Sequence, residues 1–185
     1  MRATPVDPNV HLVGHSYGCK VMLSAVAAGT LPRKVTSALL LQPALSYRAF
    51  AVDADGKGRP GGYRDALKSI AEPVMCTFSS HDFALAKTFH LAVRRRSDLG
   101  EQRIAAGAPS RFAALGGYGP GGLSAGESET VDIRDPGQAY TELVTPGLEV
   151  LALQGAQRIK SHGDILQPAT YWALHEQVRA ADHFR

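Results

Sequence analysis

Several features that identify whole classes of protein are scarce or missing in this chain of 185 residues. It has only two cysteines, Cys19 and Cys76, too few for a disulfide framework or a structural metal site. No stretch approaches the ~18 apolar residues of a membrane span. The net charge is only +3, and the single basic cluster, Arg94–Arg96, does not make a nucleic-acid footprint. Residues 1–9 lack the apolar core of a signal peptide, which predicts a cytoplasmic protein.

The order of apolar segments predicts an α/β fold in a single domain. Short apolar runs alternate with helix-spaced patterns, as in a mostly parallel sheet with flanking helices. Strands are predicted over Val10–Val13, Ser37–Leu41, Val74–Ser79 and Leu148–Leu153. Helices are predicted over Tyr17–Ala28, Tyr63–Ile70, Leu85–Arg95 and about Ala169–Ala181.

The pattern breaks down between the third and the last predicted strand. Residues 97–147 are predicted to form a long, Gly-rich insertion, and the run from Gly116 to Gly122 lacks the Lys-Ser/Thr pair of a phosphate-binding loop. A stretch this long without regular structure is typical of a functional lid or of a partly disordered segment. The residues expected to help cover a site are Phe112, Leu115, Tyr118 and Leu123. Deleting residues 116–126 is then expected to change substrate preference.

The most informative motif is Gly14-His15-Ser16-Tyr17-Gly18. It follows a short apolar strand and leads directly into a helical pattern, which is the context of a nucleophile elbow. Such a turn is so tight that a Cβ at either glycine is expected to clash with the strand or the helix. Ser16 is therefore predicted to stand at the carboxyl end of a parallel strand with its hydroxyl exposed.

In this strand–elbow–helix arrangement the chain resembles the α/β-hydrolase family, matched to the second half of that fold. The resemblance implies a later strand followed by an acid and a last strand followed by a histidine, which here are Asp82 and His162. It implies an acyl-enzyme mechanism on a small acyl substrate, without a cofactor. Ser16 is then the nucleophile, His162 the base and Asp82 its orienting acid, and the Tyr17 N–H is one oxyanion-hole donor.

Each assignment has an alternative. Asp82 is also well placed to cap the helix predicted over Leu85–Arg95, and Asp132 and Asp135 are the fallback acids. His162 is preferred among the histidines because it lies on the loop after the last strand. The competing or neighbouring histidines are His90, His175 and His183, and His15 and His81. Pocket walls or weak substrate contacts are expected at His15, Tyr118 and Leu123.

The family's fold begins with strands that precede the elbow strand, and only nine residues precede Val10 here. We therefore expect an N-terminally truncated hydrolase whose second oxyanion donor is missing, which costs on the order of 10²–10³ in turnover. The exposed edge of strand 10–13 then favours self-association. Two hypotheses follow: a serine hydrolase acting on ester-like or amide substrates, or an inactive remnant or half-module completed by a partner chain.

Overall fold

The described part of the chain is built around five strands that all run in the same direction. A computed structural model describes residues 8–29, 31–89 and 113–183. The strands in chain order are β1 (His11–His15), β2 (Ser37–Leu41), β3 (Val74–Phe78), β4 (Ser128–Asp132) and β5 (Val150–Gln154). Their order across the sheet is β1-β2-β3-β5-β4. The prediction of an α/β fold with a parallel sheet is confirmed.

Helices and helical turns connect these strands. The α-helices are α1 (Tyr17–Ala27), α2 (Leu115–Tyr118) and α3 (Pro168–His183). Shorter turns are the 3₁₀ segments Arg64–Ser69 and Thr141–Leu143 and the π-helical segment Ala84–Thr88. The continuation of the predicted helix Leu85–Arg95 beyond Phe89 lies outside the described residues. Among the helices of the described residues, none has both the length and the hydropathy needed to cross a bilayer.

The central strands are apolar on both faces because the sheet is covered on both sides. Ser37–Leu41, Val74–Phe78 and Val150–Gln154 are each buried at their first four positions. One core cluster packs these strands against α1, through residues such as Leu23 and Phe50. A second cluster lies on the other face and includes Ala169 and Ala173 of α3. Continuous apolar runs of this kind are typical of interior parallel strands.

One strand was missed by the sequence analysis. β4 lies within residues 97–147, which were predicted to be a loop-rich insertion, and it pairs in parallel with β5 from Ser128↔Val150 to Asp132↔Gln154. Its side chains alternate between exposed and half-buried because it forms an edge of the described sheet. A polar edge strand of five residues has one apolar member, Val131, so an apolar-run criterion does not detect it.

The segment around α2 is also packed more tightly than a lid. Leu115 is fully buried in the first core cluster, where it was expected to cover a site. A Cβ at Gly116 would come within 2.8 Å of the backbone of Gln42 and Pro43, and one at Gly117 would come within 2.9 Å of the backbone of Ala86. The glycines therefore let α2 approach the carboxyl edge of the sheet closely. Leu115 therefore belongs to the core, and deleting residues 116–126 would remove the close packing of Gly116 and Gly117.

Candidate active site

Ser16 occupies a strained turn between β1 and α1. Its backbone angles are φ 54° and ψ −124°, in a region that non-glycine residues rarely adopt and that costs about 1–3 kcal/mol. Hydrogen bonds on both sides hold this conformation. The Ser16 N–H donates to the Leu41 carbonyl (3.1 Å), and the Ser16 carbonyl accepts from the N–H groups of Cys19 and Ala44, both at 3.2 Å.

The two glycines of the motif differ in what they permit. A Cβ at Gly14 would lie 3.0 Å from both the Cα and the N of Cys19, so this position needs glycine for helix and strand to approach. A Cβ at Gly18 would meet no described atom within 4 Å outside its own helix. The expectation of a clash is therefore right for Gly14 and wrong for Gly18, because Gly18 is an exposed residue in the first turn of α1.

The structure brings together the three side chains that the sequence analysis selected. The His162 Nδ1 lies 2.7 Å from the Asp82 Oδ2, and its Nε2 lies 2.8 Å from the Ser16 Oγ. Serine and histidine are 146 positions apart in the chain, and histidine and aspartate are 80 apart. Because an ionised carboxylate only accepts, Nδ1 carries the ring proton and Nε2 presents a lone pair to the serine hydroxyl. This arrangement can take a proton from Ser16.

Asp82 satisfies both interpretations of its position. Its Oδ1 accepts the Leu85 N–H at 3.1 Å, so it does cap the helical segment that follows, while its Oδ2 faces His162. The side chain is completely buried. Of the fallback acids, Asp132 is exposed at the end of β4, and Asp135 forms an ion pair with Arg158 at 2.6 Å. No contact between either fallback acid and His162 appears among the described residues.

The loop that carries His162 is held by three side chains that the sequence analysis did not identify as a group. The His15 Nε2 lies 3.0 Å from the His162 carbonyl oxygen. The Gln42 Nε2 donates to the Ser161 carbonyl at 3.2 Å, and the Ser79 Oγ donates to the Ile159 carbonyl at 2.7 Å. Each donor stands at or just after the carboxyl end of a different strand, β1, β2 or β3. The detectable signal is a polar residue directly after an apolar strand, which Gln42 and Ser79 both show.

His15 was expected to be a pocket wall or a weak substrate contact. Its ring centroid is 4.9 Å from that of His162, and the planes are inclined by 35°. Since the carbonyl of His162 can only accept, the Nε2 of His15 carries a proton in this contact. His15 therefore holds the backbone of His162 through this hydrogen bond. Its role toward a substrate stays a prediction.

The other candidate residues have contacts of their own or lie outside the described residues. His175 is exposed and stacks on Trp172 at 4.8 Å, His81 is exposed, and His90 and the side chain of His183 lie outside the described residues, as does Phe112. The Tyr118 hydroxyl donates to the Ala86 carbonyl at 2.9 Å, and Leu123 packs against the first core cluster. Neither of these two has a recorded contact with Ser16 or His162 in the described chain.

The described chain has two cysteines, and one of them, Cys19, follows Ser16 by three residues. Both thiols are free and buried. Burial raises the pKa of Cys19 to about 12 and that of Cys76 well above its ordinary value. Both therefore stay protonated at neutral pH and do not compete with Ser16 as nucleophiles. Within the described ranges, no group of three His, Cys, Asp or Glu side chains could hold a metal ion.

Asp164 also shapes the loop that carries His162. From its position Asp164 could be expected to cap the last helix, and in the structure its carboxylate accepts the Lys160 N–H at 2.9 Å. The loop is thereby closed on itself around Ser161 and His162.

Comparison of the whole chain with protein-family models, with curated proteins and with solved structures gives no match.

Proposed function

We propose that this chain is a serine hydrolase that cleaves ester-like or amide acyl substrates through an acyl-enzyme. The observation that carries the proposal is the unbroken hydrogen-bond chain from Ser16 to His162 to Asp82, with distances of 2.8 and 2.7 Å. Nucleophile, base and orienting carboxylate within hydrogen-bond reach are the recognised signature of an activated serine.

The reaction follows from the direction of these bonds. As the Ser16 Oγ attacks the acyl carbonyl carbon, its proton passes to the Nε2 of His162. The imidazolium that forms is stabilised by the carboxylate of Asp82, which is completely buried. His162 then gives the proton to the leaving alcohol or amine, and the acyl group stays on Ser16. A water molecule that is deprotonated by His162 releases the acid and restores the serine.

The strained backbone of Ser16 supports this assignment. A positive φ in a non-glycine residue such as Ser16 costs conformational free energy, and such residues cluster at functional sites. The turn also makes Tyr17 the first residue of α1, where amides have no partner within the helix. The Tyr17 N–H can therefore donate to the oxyanion of the tetrahedral intermediate, at the positive end of the helix dipole.

A fluorophosphonate probe tests the proposal directly, because it phosphonylates only serines that are activated by a base. We expect the wild-type protein to be labelled, and tryptic mass spectrometry to place the label on Ser16. The Ser16→Ala variant should remain unlabelled. Ser80→Ala is the matched control, since Ser80 is an exposed serine near the same edge of the sheet and should not affect labelling.

The outcome separates the two hypotheses. A folded, monomeric protein that hydrolyses 4-nitrophenyl acetate in a Ser16-dependent manner would exclude the inactive half-module. A folded protein without any labelling of Ser16 would contradict the hydrolase proposal, and the module completed by a partner would then be the better explanation.

A further inference from the structure

A cavity of about 450 Å³ lies beside the Ser16 turn. It is bounded by α1, by the chain that follows β2 and by the helical segment that follows Asp82. Its lining includes Lys20, Ala44, Arg48, Tyr63 and Phe89. The volume falls within the range of small-molecule sites.

The cavity adjoins the serine turn. The Ala44 N–H donates to the carbonyl of Ser16, so the wall of the cavity begins one hydrogen bond from the backbone of the nucleophile. Lys20 follows Ser16 by four positions and lies one helical turn further along α1. The lining of the cavity therefore begins within one helical turn of Ser16.

The lining of this cavity carries two cations, Lys20 and Arg48, and no described carboxylate forms an ion pair with either. Arg48 is half-buried, and its guanidinium donates to the Tyr47 hydroxyl (2.8 Å) and to the Ala54 carbonyl (3.2 Å), which are both neutral. Five other arginines in the described chain form ion pairs with carboxylates: Arg59, Arg64, Arg134, Arg158 and Arg179. Lys20, the second cation of the lining, has no ion pair with a described carboxylate.

The nearest acidic residues do not neutralise it. Asp53 and Asp55 flank Ala54, but neither lines the cavity. The Asp53 carboxylate accepts backbone N–H groups of residues 55–57, and the Asp55 carboxylate accepts those of Lys57 and Arg59 and pairs with the Arg59 side chain. The contacts of both carboxylates therefore lie within residues 53–59.

We infer that this cavity binds an anionic group of the substrate, so that the preferred substrates are esters that carry a carboxylate close to the scissile bond. The inference rests on the proposed function for the reaction, but the binding step is independent of it. A half-buried guanidinium with neutral partners gains one or two charge-assisted hydrogen bonds when a carboxylate enters. The apolar part of the lining, such as Ala44 and Phe89, accommodates the carbon chain between the carboxylate and the ester.

Two matched substrate pairs test this, and they also show on which side of the ester the charge is read. 4-Nitrophenyl hemisuccinate and 4-nitrophenyl pentanoate differ by an acyl-side carboxylate, whereas 4-acetoxybenzoate and its methyl ester differ by a carboxylate on the alcohol side. We expect kcat/KM to favour the charged member of at least one pair by about ten- to a hundred-fold, which is the contribution of one hydrogen bond to a charged group. A ratio near one in both pairs would overturn the inference.

Variants identify the residues responsible. Arg48→Met should bring the favoured ratio close to one, Lys20→Met should lower it in part, and Arg48→Lys should leave an intermediate value because it keeps the charge without the planar fork. Arg59→Met is the matched control, since Arg59 is exposed, paired with Asp55 and outside the cavity lining. An equal loss in Arg59→Met would contradict a local role of the cavity.

A binding measurement keeps this inference separate from the hydrolase proposal. The Ser16→Ala protein is titrated calorimetrically with monomethyl succinate and with methyl pentanoate, and the titration is repeated with Ser16→Ala/Arg48→Met. Tighter binding of the charged ester that is lost with Arg48 supports the anion site even if Ser16 is never labelled. Equal or absent binding of both esters, together with normal labelling of Ser16, refutes the anion site and leaves the hydrolase proposal standing.

Discussion

Replacing Asp82 with asparagine exchanges one carboxylate oxygen for an NH2 group and leaves the size of the side chain unchanged. The Oδ1 of asparagine can still accept the Leu85 N–H, so the cap of the helical segment is retained. The other contact is inverted. An amide NH2 facing the Nδ1 of His162 donates, so Nδ1 must accept and the ring proton moves to Nε2. The histidine then presents an N–H to the Ser16 hydroxyl in place of a lone pair.

The size of the effect follows from this exchange of tautomers. The same substitution in a Ser-His-Asp triad lowers kcat by about 10⁴, which corresponds to roughly 5.4 kcal/mol of activation free energy at 1.36 kcal/mol per decade. We expect a loss of this order for Asp82→Asn, with KM little changed, because Asp82 is fully buried and does not touch the substrate. The folded state should persist, since the volume and the cap are preserved.

The assay is the hydrolysis of a 4-nitrophenyl ester at a protein concentration measured by absorbance, with folding checked by circular dichroism and thermal unfolding. Asp132→Asn is the matched control, because Asp132 is an exposed carboxylate at the end of β4, which β5 separates from β3. It should leave kcat within about two-fold of wild type, the effect expected of a surface change. A folded Asp82→Asn protein with kcat within ten-fold of wild type would refute the proposed role of the carboxylate.

Three further predictions concern the elements that hold the site. Ser79→Ala removes the donor to the Ile159 carbonyl. We expect kcat to fall about ten-fold with KM unchanged, because the loss of one buried hydrogen bond costs about this much. Ser80→Ala, the control, should have no effect on kcat. Gly14→Ala forces a Cβ against Cys19 and should lower the free energy of unfolding by about 1–3 kcal/mol. Gly18→Ala has room for its Cβ and should raise the free energy of unfolding by about 0.4–1 kcal/mol. Thermal unfolding compares the two variants, and equal shifts would contradict the packing at the elbow. Burial raises the pKa of Glu72 from 4.5 to about 7, so the folded state binds this proton more tightly and stability is lost as pH rises through that interval. Glu72→Gln should therefore raise the melting temperature at pH 8 by about 2–4 °C, which corresponds to a stabilisation of about 1 kcal/mol once partial exposure is allowed for. The same substitution should have little effect at pH 5. An equal increase at both pH values would show that the charge of Glu72 is not the cause.

The sheet and the elbow could be predicted because their signals are local. Apolar runs mark β2, β3 and β5, since interior parallel strands are buried on both faces, and a strand leading directly into Gly14–Gly18 and a helical pattern marks the turn. The positions of Asp82 and His162 after later strands followed from the resemblance to a known fold. The contacts that join Asp82 to His162 and His162 to Ser16 depend on strand order, which no local pattern contains.

The features that escaped prediction depend on tertiary context. β4 is a polar edge strand, and in the described sheet it pairs with β5 alone. The packing of α2 onto Gln42, Pro43 and Ala86 depends on glycines that were interpreted as signs of a flexible loop. In both cases the same residue types suit an exposed loop and a close approach between backbones, and only the neighbouring chain decides between them.

The path of the His162 loop explains how side chains after non-adjacent strands can meet. β1 and β5 are separated by β2 and β3, so the loop must cross three strand spacings, roughly 14 Å, to bring its histidine to Ser16. Successive contacts mark this crossing: the Gly155 N–H bonds to Phe78 and Ile159 to Ser79 at β3, Ser161 bonds to Gln42 at β2, and His162 bonds to His15 at β1. The end of β3 supplies two contacts and the ends of β2 and β1 supply one each, in the order in which the loop passes them. The position of the imidazole is therefore set by the strand order of the sheet, and a change at any one of these contacts acts on Ser16 through the loop.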